Sequence, residues 1–196
     1  MLRKARPTRR FALVDGMILV AATGVGVALL RPYLASFKRP NFVNSPSMRA
    51  IETTYGIWST VAACWMLALL VIQSRRPRPP LGRLVRRPGH VACCVAAVAL
   101  AWGALHGLVE YLCLKPGWAS FYSFQQTWIA ASVPIGPAVE GAWIVLALSG
   151  RWRNDPGWVD RLGRFLGSLW VAWGLFWLLP GPIRAKIPPF WDGLLP

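Results

Sequence analysis

Apolar residues in this chain gather in blocks of about 20, and basic residues lie between the blocks. The blocks cover residues 11–30, 53–73, 91–114, 128–149 and 162–179. A helix of about 20 residues is about 30 Å long, which matches the hydrocarbon thickness of a bilayer. A soluble domain would break such runs with charged amphipathic faces. The pattern predicts an all-α integral membrane protein, a bundle of about five transmembrane helices.

Composition agrees with that class and raises one alternative. The mean hydropathy is +0.42, and the chain has 12 tryptophans, whose indole rings favour the headgroup level of a bilayer. The net charge of +15, taken alone, is compatible with nucleic-acid binding. Because the basic residues lie between the apolar blocks, we interpret them as charges that orient the chain, and we expect no nucleic-acid partner.

The distribution of basic residues predicts the orientation. Residues 1–10, 74–90 and 150–164 hold 15 of the 22 Lys and Arg residues, and the segments on the opposite side hold seven. The positive-inside rule then places the N-terminus in the cytoplasm and the C-terminus outside. A four-span alternative would lose the fourth or fifth block and unbalance these charges. We expect one transmembrane domain over 11–180, after a basic tail at 1–10 and before a proline-rich C-terminal tail at 181–196.

The first block is interpreted as an uncleaved span. It is longer than the apolar core of a signal peptide, and no small-x-small cleavage site follows it. The segment RRFALVDGMILVAATGVGVALLR, residues 9–31, resembles the start of uncharacterised multi-pass membrane proteins of planctomycete-type bacteria. The resemblance covers roughly a ninth of the chain and implies a multi-pass protein of the bacterial inner membrane. It implies no activity and no functional residue.

The connector at 74–90 holds four prolines and six arginines, so we expect it to be extended and non-helical. Basic residues near a membrane surface attract anionic lipid headgroups, by about 1 kcal/mol each. The candidates for this contact are Arg75, Arg76, Arg78, Arg83, Arg86 and Arg87. The aromatic outer loop at 115–127 is expected to lie in the interface. Pro46 after Ser45, and Pro156 after Asp155, predict helix starts.

Small residues predict where helices approach each other. Gly103 and Gly107 are four residues apart in the third block, and Gly163 and Gly167 repeat that spacing in the fifth. Small residues at this spacing allow close contact between membrane helices. Trp170, Trp173 and Trp177 form a stripe that we expect to pack in the core or against lipid.

The four cysteines lie in apolar blocks and show no CxxC spacing. They are Cys64, Cys93, Cys94 and Cys113. We interpret them as small buried apolar residues. Metal binding or oxidation at the adjacent pair Cys93 and Cys94 is the alternative.

Intramembrane carboxylates are the main indication of function. Of seven acidic residues, Asp15, Glu52, Glu110 and Glu140 lie in or beside apolar blocks, where a carboxylate needs a partner, a proton or water. Asp15 suits the cytoplasmic start of its helix. His106 shares a helix face with Glu110, because it lies four residues before it. We expect His106, Glu110, Glu140 and Glu52 to line one cavity that opens outward, or to join helices in pairs.

Pro134 and Pro137 are expected to kink the fourth span. Each proline lacks an amide donor and disturbs the carbonyl four residues earlier, here at Ala130 and Val133. Freed carbonyls inside a bundle can bind a cation or water. Glu140 follows the second proline by about one turn.

Enzyme motifs such as HExxH, GxSxG and the P-loop are absent from the sequence, so we expect no enzyme and no cofactor. The first hypothesis is a non-enzymatic membrane subunit or scaffold that packs against other membrane proteins or copies of itself. The alternative is a small proton- or cation-coupled transporter or channel that uses the intramembrane carboxylates. A third idea is a metal-dependent intramembrane enzyme with His106 and Glu110. The chain has two histidines, which is few for a zinc site, so we expect no metal.

Overall fold

Helices are the only regular elements in the part of the chain that the computed structural model describes, residues 12–36, 46–75, 80–113, 128, 131–152 and 157–178. They are α1 Leu13–Ser36, α2 Pro46–Ser74, α3 Leu81–Leu84, α4 Pro88–Cys113, α5 Ile135–Leu148 and α6 Trp158–Leu178. The all-α prediction is confirmed for these residues. The predicted tails at 1–10 and 181–196, the loop at 115–127 and the Asp155–Pro156 helix start lie outside them.

Three helices are long and apolar enough to cross a membrane. Their apolar windows are Leu13–Arg31, Thr54–Ser74 and Pro88–His106, which overlap the first three blocks of the sequence. Helix α5 is apolar but has 14 residues. Helix α6 has 21 residues and carries three charged side chains near its start. The count of five spans therefore stays a prediction.

The helices form a bundle around α2 and α4. Helices α4, α5 and α6 pack against one another, α2 packs across α4 and α6, and α1 packs mainly on α2. Met66, Leu69 and Ile72 on one face of α2 are fully buried, together with Ala96 of α4 and Val139 of α5. The apolar window of α2 is 61% buried and that of α1 is 11% buried, so α2 is interior and α1 is peripheral.

Helices α1 and α2 run in opposite directions. Thr23 of α1 accepts a hydrogen bond from Trp65 of α2, while Gly26, further along α1, lies against Val61, earlier in α2. This order is that of an antiparallel pair. The start of α1 therefore lies beside the end of α2.

At the same end of the bundle, contacts join the end of α2, the starts of α4 and α6, and the second half of α5. Gln73 near the end of α2 contacts His90 at the start of α4, and Gly89 at the start of α4 contacts Asp160 at the start of α6. Trp143 in the second half of α5 donates to the carbonyl of Pro88. We call this the basic end. Six of the seven arginines whose side chains are described belong to it, namely Arg75, Arg86, Arg87, Arg151, Arg161 and Arg164.

Prolines define several helix starts. Helix α2 begins at Pro46 and α4 at Pro88, where a residue without an amide hydrogen costs no intrahelical bond. The prediction of a wholly non-helical connector at 74–90 is wrong. Pro80 accepts a backbone hydrogen bond from Leu84, and the buried Leu84 side chain anchors the short helix α3 against the bundle.

Candidate functional site

The four members of the predicted polar cluster are placed to different degrees. His106 is exposed on the second half of α4, and Glu140 is half-buried on α5. The side chains of Glu52 and Glu110 lie outside the described set, although both residues belong to helices. A shared cavity for all four therefore stays a prediction.

His106 and Glu140 lie at different levels of the bundle. Gly103 of α4 lies against Ala131, and Pro88 at the start of α4 lies level with Trp143 of α5. Glu140 is therefore nearer the basic end, and His106 lies beyond Gly103 towards the opposite end. The two are roughly 20 Å apart along the bundle axis at about 1.5 Å per helical residue, so they do not contact each other directly.

Pro134 and Pro137 lie at a helix start. A turn at Val133–Pro134 precedes α5, with Pro134 in the N-cap position. Pro137 is in the first turn, where amide groups have no intrahelical partner, and Ala138 donates to the Pro134 carbonyl at 3.1 Å. The interruption of the fourth block is thus a turn between helical segments, and α5 itself continues from Ile135 to Leu148.

Predicted packing glycines lie at close contacts within the chain. A Cβ on Gly103 would lie 2.3 Å from the Ala131 Cα, and one on Gly163 would lie 2.6 Å from the Gly89 carbonyl oxygen. A Cβ on Gly167 would lie 2.7 Å from the Trp143 ring. Gly107 has no described surroundings. The contacts at Gly103, Gly163 and Gly167 hold α4, α5 and α6 together. The helix faces that carry these three glycines are therefore not available to another protein.

A buried carboxylate joins α4 to α6 at the basic end. Asp160 is 3% exposed, and its Oδ1 accepts a hydrogen bond from the Gly89 backbone amide at 3.0 Å. Gly89 is the second residue of α4, so Asp160 caps this helix from a neighbouring one. Its Oδ2 lies 3.3 Å from Nε of Arg164, which balances the charge.

Beside this contact, three polar side chains form a chain across α2 and α4. His90 Nδ1 contacts the side-chain oxygen Oε1 of Gln73. The other ring nitrogen, Nε2, lies 3.4 Å from the Cys94 sulfur. An amide oxygen only accepts hydrogen bonds, so Nδ1 carries the proton and Nε2 accepts from the Cys94 thiol. Gln73 is buried, while His90 and Cys94 are half-buried.

A second polar chain lies towards the opposite end of the bundle. The Ser132 hydroxyl donates to the Trp128 carbonyl at 2.6 Å, so the Tyr55 hydroxyl, 2.5 Å away, must donate to Ser132. The Trp128 indole donates to Ser59 at 3.0 Å. Tyr55 also stacks on Trp173, with ring centroids 4.7 Å apart. These contacts join α2 to α6 and to the segment before α5.

The predicted tryptophan stripe has a core role where its side chains are described. Trp170 is fully buried and packs on Trp58, with ring centroids 4.8 Å apart. Trp173 packs on Trp58 and on Tyr55. The side chain of Trp177 lies outside the described residues. The stripe therefore forms the seam between α6 and the first half of α2.

Asp15 also has a local role. It is fully buried in the first turn of α1, and its Oδ2 accepts from the Ala12 backbone amide at 3.2 Å. A carboxylate at the third helical position that reaches back to the N-cap amide is half of a capping box. This agrees with the predicted place of Asp15 at the start of the first span.

Two functional candidates had weak signals in the sequence. His90 and Cys94 have the same four-residue spacing as His106 and Glu110, but only the second pair contains a carboxylate, which is the stronger indication of function in an apolar block. Asp160 lies at the charged edge of its block, where solvent exposure is the ordinary expectation. Gln73, the partner of His90, and Gly89, the partner of Asp160, each come from another helix, and no local pattern indicates either pairing.

No protein-family model, no curated protein and no solved structure matches this chain. The resemblance of residues 9–31 to multi-pass proteins of planctomycete-type bacteria therefore stays a prediction. No group of three or more metal-binding side chains converges within the described ranges.

Proposed function

We propose that the chain is a multi-pass inner-membrane protein that acts as a non-enzymatic subunit or scaffold, with its basic end in the cytoplasm. The observation that carries this proposal is the contrast between interior and surface. Buried polar side chains pair across helices, as Asp160 does with Gly89 and Tyr55 with Ser132. Many large apolar side chains face outward, with Val20 72% and Leu148 83% exposed. A surface of this kind suits lipid or membrane partners.

The peripheral helix α1 is the proposed partner surface. Gly24 has no atom within 4 Å of the position where a Cβ would lie, and Ala21 and Ala28 on the same helix are exposed. Small exposed residues let another helix approach closely in a bilayer. A second copy of this chain or a different membrane protein would fit this requirement.

The test is the assembly state of the full chain in a mild detergent, measured by light scattering and by cross-linking in native membranes. We expect an assembly of fixed composition that the substitution Gly24→Leu dissociates without lowering the thermal unfolding midpoint. Gly26→Leu is the matched control, because Gly26 faces Val61 inside the chain and its replacement should destabilise the fold. A wild-type chain that is monomeric in both measurements would contradict the scaffold proposal.

Proton or cation transport is the second candidate. Glu140 lies near the middle of the apolar helix α5, is half-buried, and makes no hydrogen bond or ion pair with the described residues. An intramembrane carboxylate in this state suits proton exchange. If Glu140 carries ions, Glu140→Gln abolishes flux in proteoliposomes while expression is unchanged. Gly141→Ala is the control, because the neighbouring position is open. Equal flux for wild type and Glu140→Gln would exclude this role for Glu140.

A further inference from the structure

The Gln73–His90–Cys94 chain has the arrangement of an activated nucleophile. Such sites need a nucleophile within hydrogen-bond reach of a base, and a third group that orients the base. Cys94 Sγ lies 3.4 Å from His90 Nε2, and Gln73 holds the opposite nitrogen of the ring. With Nδ1 donating to Gln73, Nε2 is the free base and faces the thiol. The positive end of α4, where His90 lies in the first turn, favours the neutral imidazole.

The helix face that carries this thiol changes from charged to apolar along its length. His90 and Cys94 are one turn apart, and the next turns on the same face carry Val98, Trp102 and Leu105. These three side chains are 70%, 66% and 53% exposed. From Cys94 to Leu105 the strip is about 16 Å long at about 1.5 Å per residue. This exposed strip leaves room for an extended hydrocarbon chain along α4.

Positive charge lies on the other side of the thiol. Arg87 is close enough to act electrostatically on His90, and Arg86 and Arg75 are exposed at the same end of the bundle. Arginine favours phosphate groups. Along α4, positive charge comes first, the nucleophile second and the apolar strip third. This order matches a fatty acyl thioester whose carrier bears phosphate groups.

We propose that Cys94 is an S-acylation site that accepts a fatty acyl group from such a thioester. His90 Nε2 takes the proton of the Cys94 thiol as the sulfur attacks the thioester carbonyl carbon. The bond from that carbon to the carrier sulfur then breaks, and His90 returns the proton to the departing carrier sulfur. The products are an acyl thioester on Cys94 and a free carrier thiol, with no oxidant or reductant involved. The acyl chain lies along Val98, Trp102 and Leu105. This inference goes beyond the scaffold role and does not depend on it.

The experiment incubates the purified full chain in detergent with palmitoyl-coenzyme A and maps the acylated peptide by mass spectrometry. The wild-type chain contains its own control, because Cys64 and Cys94 are both half-buried and only Cys94 has a described imidazole partner. We expect one hydroxylamine-sensitive acyl group on Cys94 and none on Cys64. Cys94→Ala removes the modification, and Cys64→Ala leaves it unchanged.

A substitution of the proposed base, His90, tests the mechanism separately from any effect on folding. His90→Gln should slow acylation at neutral pH on the order of 100-fold, and the rate should recover at high pH, where solvent removes the thiol proton. Gln73→Glu keeps an acceptor for Nδ1 and should retain the rate, whereas Gln73→Leu should lower it. Acylation of Cys64 to the same extent as Cys94, no acylation of Cys94, or an unchanged rate in His90→Gln would overturn the proposal.

Discussion

Asp160 illustrates how this bundle accommodates a charged side chain in its interior. Its two carboxylate oxygens face the Gly89 amide and the Arg164 guanidinium, and it lies in the first turn of its own helix. The carboxylate is thus near the positive ends of both α4 and α6, where a negative charge is stabilised. Burial alone would be costly, but the Gly89 hydrogen bond and the opposite charge of Arg164 offset part of that cost.

Replacement of Asp160 should therefore destabilise the fold. Asp160→Ala leaves the Gly89 amide without its acceptor and Arg164 without its counter-charge, and we expect a loss of about 1–3 kcal/mol in the free energy of unfolding. Asp160→Asn keeps an oxygen for the amide and should lose less. Denaturant unfolding in detergent, followed by tryptophan fluorescence, measures both. Equal stability of Asp160→Ala and wild type would show that the cross-helix cap contributes little.

At the scale of the helices, glycine decides where backbones touch. Gly89 and Gly163 face each other where α4 meets α6, and Gly136 faces the Trp170 carbonyl and Gly174 where α5 meets α6. A side chain at Gly89, Gly163 or Gly136 would have to displace backbone atoms. Other glycines in the same helices, such as Gly141, have empty space beside them. Sequence spacing does not separate the two kinds, because both occur in apolar helices.

A matched pair of substitutions distinguishes glycines at close backbone contacts from glycines in open space. Gly163→Ala places a methyl group against the Gly89 carbonyl and should destabilise the protein by about 1–3 kcal/mol, the range for overpacking. Gly141→Ala adds a methyl group in open space within a helix and should stabilise it by up to about 1 kcal/mol. Unfolding in the same detergent compares them directly. A destabilising Gly141→Ala would indicate that this face of α5 is covered in the whole protein.

At the scale of the whole molecule, charge separates the two ends of the bundle. The described arginines gather where α2 and α5 end and where α4 and α6 begin, and Arg31 is the exception at the end of α1. This arrangement follows from helices that alternate in direction, because every second connector falls on the same side. Such an asymmetry is what the positive-inside rule requires of a multi-pass protein.

Cysteine labelling in intact cells tests this orientation. In a chain whose native cysteines are replaced, Gly82→Cys lies in α3 on the exposed surface of the basic end, and Lys115→Cys lies in the predicted outer loop. A membrane-impermeant maleimide should label Lys115→Cys in intact cells and should label Gly82→Cys only after the membrane is permeabilised. Labelling of Gly82→Cys from outside would reverse the orientation. A chain that needs no detergent to stay in solution would contradict membrane insertion.

The sequence by itself determined the helical blocks, the start of α2 at Pro46 and the excess of positive charge in alternate connectors, because each of these depends on neighbours within a few residues. The tertiary structure decided which side chains meet. Gln73 and His90 are 17 residues apart and Gly89 and Asp160 are 71 apart, and their contact depends on the depth and rotation of each helix. In α1 and α4 apolar residues lie on nearly every side, so periodicity does not mark the inner face. The rotation of each helix is set by close backbone contacts, as at Gly103 and Gly163, and by the caps and hydrogen bonds beside them. These contacts form only when the helices pack together.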